Sequence, residues 1–483
     1  MTKMSGLPSS AGMFTLASVF FSSAAIANAP RIYSFASQID SGDSVNYTGQ
    51  TFRQVLINDL TAFVKSLKAG NYSGTETELV NALNSYFAYS YDAPLLTEGA
   101  INGFSAIKLK AKSLNGDAIA LSEGSTYEEI FEGNKDLRGK LAGNDNALVN
   151  GELLGWSASF DGIELASIDY DQKGDDFVEP EDLIQAMFQK FADNAVNGSS
   201  FIADDGLDGV RINDAFVTAD GLDYAQLLQK FLHGALSFSQ ATRDYLSTDL
   251  GSSKGLNAQN ETAAKAGVNY TNLEHHWDEA FGYFGAARDF LNYTDEQIAK
   301  GFSIDTNDNG SISIESEFNF PLAKSAAKRD RGAGGDTDFT AEIMGYFLEG
   351  RRLIAEKPAG YRNAIVKQAT SVINAWEASL AATVIHYINR YISETKEYAT
   401  SEYNFKDMAK FWGEMKGYGL AFQFNPQSVL STEGFKAMHD LMGSKPVKPS
   451  DAQALASYHK DLLKARDLLK TAFEFSTETV ENW

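Results

Sequence analysis

The sequence predicts an all-α protein made of two helical-bundle lobes joined by irregular loops. Three observations support this class. Apolar residues recur at spacings of three and four over long stretches, which is typical of amphipathic helices. Nine prolines in 483 residues leave most of those stretches uninterrupted. The hydrophobic share of 43% and the length of the chain are enough for lobes with sizeable cores.

The N-terminus (residues 1–29) has the pattern of a secretory signal peptide. Lys3 supplies a basic charge, an apolar run covers residues 13–21, and small residues follow around Ala27 and Ala29. We expect cleavage after Ala27, because cleavage after Ala29 would leave a proline beside the cut. An N-terminal strand or loop of the mature protein is the alternative. Export would place the protein in the periplasm or at the cell surface, and the sequence does not separate the two.

The N-terminal lobe is predicted to span residues 30–250. Apolar stripes mark its helices, and Pro180 followed by two acidic residues is typical of a helix start. The aromatic-containing, more alternating segment at 99–121 predicts short strands or irregular structure. The predicted helices cover residues 51–69, 75–91, 183–196 and 222–245.

The C-terminal lobe is predicted to span residues 251–483. A polar stretch rich in Gly, Ser and Asn at 248–265 is typical of a boundary between lobes. Beyond it the helical periodicity is stronger. The predicted helices cover residues 273–292, 339–355, 361–396, 405–422, 430–442 and 452–473.

The acidic composition restricts the partners of this protein. There are 41 Lys and Arg against 64 Asp and Glu, which gives a net charge of -23. Such a surface repels nucleic acid and anionic membranes and attracts cations, although solubility alone is an alternative reason for the charge. The chain has no cysteine, which excludes disulfides, thiolate ligands and a lipid-modified cysteine. Beyond residue 29 no segment is apolar enough to predict a transmembrane span.

The segment EHHWDE, from Glu274 to Glu279, is the densest group of chemically competent side chains. On a helix, Glu279 is four residues from His275 and three from His276, within reach of either imidazole. Pairs of this kind build metal sites in helical bundles. The alternative is that His275 faces solvent and His276 is a core residue oriented by Glu279. The His-Glu-x-x-His motif of zinc peptidases is absent here, which removes the main support for a protease.

Three further residues are candidate metal ligands from other helices. Glu377 and His386 lie in one predicted helix, and Glu414 lies in the next. Glu377 and Glu414 each follow an apolar or small neighbour inside a patterned helix, so either side chain can point into a lobe. The alternatives are exposed glutamates and a hydrogen-bonded core histidine.

A second motif, DTNDNGSIS, matches the first part of a calcium-binding loop. Oxygen ligands stand at positions 1, 3 and 5, Gly310 at position 6 allows a sharp turn, and Ile312 anchors the loop. Position 12 is Ser316, and a glutamate stands on either side of it. Residues 169–174 are a poorer match. The candidate calcium ligands are Asp305, Asn307, Asn309, Ser311, Glu315 and Glu317.

Residues 328–335 (KRDRGAGG) combine basic side chains with glycines. This composition predicts a flexible, solvated loop, and an anion-binding loop is the alternative. We find no Walker loop, no Gly-x-Ser-x-Gly elbow and no dinucleotide-binding glycine motif in the sequence.

Six runs, spread over almost the whole mature chain, resemble a family of exported bacterial proteins known as a domain of unknown function. Many members of that family look like lipoproteins, and the absence of cysteine here departs from them. The runs are YTGQTFRQVL, LRGKLAGND, GLDYAQLLQKFLHGAL, EHHWDEAFGYFG, WEASLAATVIHYIN and FWGEMKGYGLAFQFNP.

The chain is also distantly similar to the imelysins, iron-regulated helical proteins with a Gly-x-His-x-x-Glu motif. His276 and Glu279 match the His and Glu of that motif, while Glu274 stands in place of the Gly. The resemblance implies a two-bundle helical fold and a role in handling iron or another metal. It does not imply peptidase activity.

These observations lead to three functional hypotheses. The first is an exported, non-enzymatic binding protein for iron or another divalent transition metal, with His275, His276 and Glu279 at the site. The second is a metal-dependent hydrolase that uses the same residues to activate water. The third is a structural or interaction module stabilised by calcium, with a partner at the cell surface or in the periplasm. None of them involves nucleic acid.

Overall fold

The computed structural model describes residues 30–91, 106–131, 133–155, 179–203 and 209–483. The predicted signal peptide and the weaker calcium-loop candidate lie outside these ranges. Within them the protein is mostly helical, which confirms the predicted helical class. The strands are only two to four residues long.

Capping residues fix the first helices of the described chain. The Thr75 hydroxyl accepts a hydrogen bond from the Glu78 amide, and the Glu78 carboxylate accepts one from the Thr75 amide, so a capping box starts helix α2. Pro180 occupies the first turn of α4, as its position predicts. These helices are α1 (Thr48–Ser66), α2 (Glu76–Phe87), the short α3 (Tyr127–Ile130) and α4 (Pro180–Val196).

The strands form two small sheets. β2 pairs antiparallel with β1 and parallel with β5, and β3 pairs antiparallel with β4. The segment at 99–121, predicted to hold short strands or irregular structure, contains β1 and β2 in its described part, residues 106–121. The strands are β1 (Ala111–Lys112), β2 (Ala118–Leu121), β3 (Phe201–Ile202), β4 (Arg211–Ile212) and β5 (Ser311–Ile312).

The segment predicted as one α-helix at 222–245 changes its winding. Helix α5 (Tyr224–Leu232) continues into two π-helical segments, His233–Phe238 and Gln240–Tyr245. Gly234 lies against Ala421, where a Cβ atom would come within 2.7 Å of the alanine Cβ. The wider π winding therefore lies at a close contact between chain segments, and π segments of this kind are frequent at functional sites.

Long helices build the C-terminal half, as the sequence predicts. The 36-residue helix predicted at 361–396 has those bounds in the structure. The helices are α6 (Asn272–Phe284), α7 (Asp295–Lys300), α8 (Pro321–Gly332), α9 (Phe339–Glu356), α10 (Tyr361–Lys396), α11 (Phe405–Gly419), α12 (Thr432–Met442), α13 (Ala452–Ala472) and α14 (Thr477–Asn482).

Two predictions in this half are wrong. The helix predicted at 273–292 ends at Phe284, because Gly285 adopts a left-handed conformation with a φ of 76° and closes the helix. The flexible loop predicted at 328–335 is wrong for its first part. Pro321 starts α8, which runs through Lys328 to Gly332 and buries Arg329.

Helices from both predicted lobes share one hydrophobic core. Helix α1 packs against α5 and α6, and α5 packs against α11. The predicted division between residues 250 and 251 stays a prediction. In the part of the chain that the structure describes, no helix combines the length and apolar character needed to cross a membrane.

Candidate functional site: the histidines and Glu279 of helix α6

The start of α6 is fixed by a capping box, which sets the orientation of its polar side. The Thr271 hydroxyl accepts a hydrogen bond from the Glu274 amide, and the Glu274 carboxylate accepts one from the Thr271 amide. Successive helical residues turn by about 100°. Glu279 therefore lies one turn below His275 and His276, between the directions of the two rings.

A backbone carbonyl from a distant part of the chain and an aromatic ring hold the imidazole of His275. Its Nδ1 atom lies 2.9 Å from the Asn46 carbonyl oxygen, and the Tyr270 ring stacks on the imidazole at 4.6 Å between centroids. Nδ1 must carry the proton to donate to that carbonyl. In the neutral tautomer that donates through Nδ1, Nε2 carries the lone pair, and this atom lies 3.7 Å from Glu279 Oε1.

His276, the next residue of the helix, is anchored in the same manner by a backbone carbonyl and an aromatic ring. Its Nδ1 lies 3.3 Å from the Gly255 carbonyl oxygen, and the Tyr245 ring lies 6.1 Å away. Burial lowers the pKa of His276, and the nearby Glu279 carboxylate only partly opposes this shift, so the ring is neutral at pH 7. Each histidine thus keeps an Nε2 lone pair free of its backbone anchor.

Helix α1 and the second π segment supply further side chains around His275, His276 and Glu279, which we call the His–Glu cluster. Gln50 Nε2 donates to Glu279 Oε1 at 2.8 Å, and Arg53 donates to the Asp136 carbonyl. Tyr245 and Tyr283 stack at 6.0 Å. Within the described chain the Tyr283 hydroxyl is buried and has no hydrogen-bond partner. Sequence reasoning missed these four residues, because each falls within an ordinary helical pattern.

Asp145, Asp244 and Lys254 lie next to the His–Glu cluster. Lys254 Nζ lies 3.0 Å from Asp145 Oδ2, contacts Asp244, and lies 5.1 Å from the centroid of the Tyr245 ring. Burial and the neighbouring Asp145 raise the pKa of Asp244 to about 6. Burial opposes ionisation of Asp145 as well, but hydrogen bonds from Asp244, Gln240 and Lys254 lower its pKa. The π winding places Asp244 and Tyr245 at this position.

The opposite side of α6 is fixed by a fully buried ion network. Arg351 donates through Nη1 to Glu274 at 3.0 Å, through Nε to Asp278 at 2.9 Å and through Nη2 to Ser44 at 2.6 Å. Tyr33 also donates to Asp278, at 2.8 Å. These contacts lock the rotation of α6 and therefore the direction of its histidines.

The other predicted metal ligands lie elsewhere. Glu377 is buried beside the Val429 amide, 3.4 Å away, and burial raises its pKa to about 7. Burial and the positive charges around His386 lower its pKa to about 2. Glu414 pairs with Lys230 at 3.3 Å. In the described ranges no three His, Cys, Asp or Glu side chains form a preformed metal cage.

The predicted calcium loop is folded by its own side chains. Asp305 accepts hydrogen bonds from the Asn309 and Gly310 amides, and Asn309 accepts one from the Ser311 amide. Glu317, the residue after position 12, is fully buried and accepts hydrogen bonds from the loop residues Thr306, Asn307 and Ser313. Ser311 and Ile312 form β5, which ties the loop to β2.

A separate cleft of about 840 Å³ lies between α7 and α9. Its walls carry the acidic residues Asp295, Asp338, Glu342 and Glu349 together with apolar side chains. Burial and repulsion from neighbouring carboxylates, Asp338 for both groups and Asp330 also for Glu342, raise the pKa values of Asp295 and Glu342. The sequence did not predict this cleft, because its lining comes from separate elements.

Fold and site together define a mostly helical protein with a His–Glu cluster between α1, α6 and a π-helical segment. The chain belongs to the family described as Domain of unknown function (DUF4856), whose model matches residues 164–442. The match covers α6, the predicted calcium loop and α11. No curated protein and no solved structure matches the chain. The similarity to imelysins stays a prediction.

Proposed function

We propose that this protein is an exported, non-enzymatic binding protein that holds iron or another divalent first-row metal ion between His275, His276 and Glu279. One observation supports this most directly. Both imidazoles use Nδ1 to bond a backbone carbonyl, which leaves Nε2 of each ring as the nitrogen for a ligand, and Nε2 of His275 lies 3.7 Å from the Glu279 carboxylate. An outer hydrogen bond of this kind is the usual companion of a metal-bound histidine.

The distance between His275 and Glu279 leaves only a small adjustment for binding by that pair. Two ligands that are each about 2.1 Å from a metal lie roughly 3 to 3.5 Å apart, depending on the coordination geometry. His275 Nε2 and Glu279 Oε1 are 3.7 Å apart, so a small side-chain rotation suffices for that pair. The bond from Gln50 holds Glu279 in place. In the described ranges no three His, Cys, Asp or Glu side chains, these three included, form a preformed metal cage, so His276 would have to move toward the ion and water would fill the remaining positions.

Direct metal analysis tests the proposal. Protein purified without a metal-binding tag is dialysed against Fe(II), Mn(II) or Zn(II), and bound metal is measured by mass spectrometry. We expect near-stoichiometric binding that Glu279→Gln weakens by at least about tenfold. The control Glu296→Gln removes an exposed carboxylate on α7 that faces no histidine and leaves binding unchanged.

Two results would contradict this function. Stoichiometric metal that persists in Glu279→Gln would place the ion elsewhere. Peptide turnover by the metal-loaded protein, lost on chelation, would replace the binding role by the hydrolase hypothesis.

We infer a second, structural ligand for the loop at residues 305–317. The turns around Asp305, Asn307 and Asn309 direct oxygen atoms as a calcium loop requires. Calcium should raise the melting temperature of the wild-type protein and not that of Asp305→Ala. An equal rise in both proteins would exclude this loop as the calcium site. The substitution should leave metal binding by His275, His276 and Glu279 unchanged.

A further inference from the structure

The cleft between α7 and α9 brings carboxylates from two helices to one hydroxyl group. Asp295 lies in the first turn of α7, and Asp338 is the N-cap residue of α9 and accepts from the Ala341 amide. Thr340 Oγ1 lies 3.0 Å from Asp295 Oδ1 and 3.2 Å from Asp338 Oδ1. A hydroxyl has a single proton, so it can donate to only one of these two oxygens at a time. The two carboxylates thus meet at the wall of a cleft of about 840 Å³.

The charges that line this cleft do not balance. Glu349 is already paired with Arg352, at 2.7 and 2.8 Å. Glu342 has no hydrogen bond or salt bridge to any residue of the described ranges. Among the described lining residues Arg31 is the one cation, and it donates to the Leu291 carbonyl at 2.8 Å. The three remaining carboxylates therefore face a single guanidinium.

The charged groups just outside the lining do not remove this excess. Burial raises the pKa of Asp295, and Arg331 has the smallest effect of the groups that act on it. The Arg331 guanidinium is paired with Glu296 at 2.5 Å. Asp330, which is 6% exposed, adds a further carboxylate, and burial and the repulsion from Asp295 raise its pKa to about 6. A positive group from outside the chain would relieve this repulsion.

The carboxylates of α9 follow one side of that helix. Glu342 is four residues after Asp338, and Glu349 is seven residues after Glu342, which corresponds to steps of roughly 6 and 10 Å along the helix axis. Gly345 lies between them in the lining, and a Cβ atom at this position would meet no atom within 4 Å. The negative charges are therefore spaced along an open channel and not gathered at one point.

The rest of the lining is apolar, apart from one unsatisfied acceptor. Gln368 on α10 contributes to the wall, and in the described ranges its buried Oε1 atom has no hydrogen-bond donor. Aromatic rings in the wall offer faces that attract ammonium groups. The apolar side chains are Phe290, Tyr293, Ile298, Tyr346 and Leu348.

We propose that the cleft between α7 and α9 binds a linear aliphatic polyamine, a methylene chain that carries two or more ammonium groups. Ammonium groups match the spaced carboxylates and supply N–H donors, and methylene groups match the apolar wall. A metal ion matches less well, because in the described ranges no three acidic or histidine side chains form a metal cage and the cleft has the size of an organic ligand. The cleft shares no residue with the His–Glu cluster and does not depend on the proposed metal function.

Calorimetry at an ionic strength near the physiological value tests this site with spermidine as the probe. We expect saturable binding of one spermidine per chain, which Glu342→Gln weakens by about threefold or more. The matched control is Glu356→Gln, which removes the same charge from the same helix at a carboxylate that pairs with Arg352 outside the lining. This control should bind spermidine as the wild type does.

A variant that blocks the cleft separates a specific site from general attraction to an acidic protein. Gly345→Leu keeps every charge and extends a side chain into the open space, so we expect it to weaken spermidine binding by at least about tenfold. It should melt at or above the wild-type temperature, because glycine is unfavourable inside a helix. If it does not fold, Asp338→Asn keeps an N-cap oxygen and should weaken binding by about threefold or more.

Four results would each overturn the proposal. They are absence of spermidine binding, equal binding by folded Gly345→Leu, displacement of spermidine by an equal concentration of Mg²⁺, and tighter binding of tri-lysine than of spermidine. The second and third would show that spermidine is only a counter-ion of a chain with a net charge of -23. The fourth would make a basic peptide the ligand of the cleft.

Discussion

Arg351 and Arg329 are both buried in this protein, yet their surroundings are opposite. Arg351 donates to Glu274, Asp278 and Ser44, and all of these partners lie inside the protein. Arg329 leaves Nε and Nη1 without acceptors in the described chain. Equal burial therefore corresponds to different roles. The first arginine completes the structure, and the second keeps donors that no acceptor in the described chain satisfies.

The His–Glu cluster extends this comparison from donors to acceptors. There each imidazole keeps Nε2 free of its backbone carbonyl, whereas on Arg329 the unused atoms are guanidinium N–H groups. Spare acceptors suit a cation and spare donors suit an anion.

Removing Arg351 should have the largest effect on stability. Arg351→Met leaves Glu274 and Asp278 buried without their cation, and we expect a loss of about 3 to 5 kcal/mol in the free energy of unfolding. Urea denaturation at pH 7 measures it, and Arg329→Met is the matched substitution. A loss for Arg329→Met as large as that for Arg351→Met would remove the distinction between the two arginines.

Glu377 sharpens the comparison for carboxylates, because it is as buried as Asp278 but has no cation. Burial raises the pKa of Glu377 to about 7, above the unfolded value of about 4.3. Its contribution to stability is therefore fully present below about pH 4 and is lost as the pH rises through about 7. Glu377→Gln should remove a pH-dependent loss on the order of 3 kcal/mol between pH 5 and 8. Unfolding curves at both pH values measure this change, and the exposed Glu296→Gln should leave it intact.

The contact between α6 and α9 that carries Arg351 can be tested without altering charge. A Cβ atom on Gly350 would lie 2.0 Å from the Trp277 ring, so Gly350→Ala must push the two helices apart. We expect a loss of about 1 to 3 kcal/mol. Gly345→Ala on the same helix meets no atom within 4 Å and should stabilise α9 slightly. Equal melting temperatures for the two variants would show that this contact is not tight.

Two neighbouring carboxylates on α6 give the smallest expected effect. Asp278 is fully buried in the Arg351 network, whereas Glu279 is 15% exposed in its side chain and bonds to Gln50. Without metal, Glu279→Gln should change the free energy of unfolding by less than about 1 kcal/mol, and Asp278→Asn should cost more. Denaturation of both metal-free variants decides this. A large loss for Glu279→Gln would make Glu279 a structural residue and not a ligand.

The sequence predicted the long helices well, because their apolar stripes are regular and their caps are local. The helix at 361–396 is an example. Prediction from the sequence failed where contacts between distant residues decide the type or the length of a helix. The π segments after Leu232 pack on Ala421, and helix α8 extends through a basic run whose Arg329 side chain becomes buried.

The sequence likewise predicted only part of the candidate site. The i,i+3 and i,i+4 spacing was sufficient to single out His275, His276 and Glu279 on one helix. It could not reveal that Asn46 and Gly255 would anchor the two rings, because those carbonyls are distant in the chain. Nor could it reveal that Glu414 would meet Lys230 and not a histidine.

By itself the sequence determined the helical class, the acidic composition and the placement of His275, His276 and Glu279 along one side of α6, since periodicity, composition and helical spacing are local properties. Tertiary structure alone decided which polar atoms remained unsatisfied. Arg351 and Arg329 follow similar helical patterns, and only the packing of distant elements gave acceptors to one and withheld them from the other. Hydrogen-bond satisfaction depends on every neighbour in space, so it is settled when the chain packs.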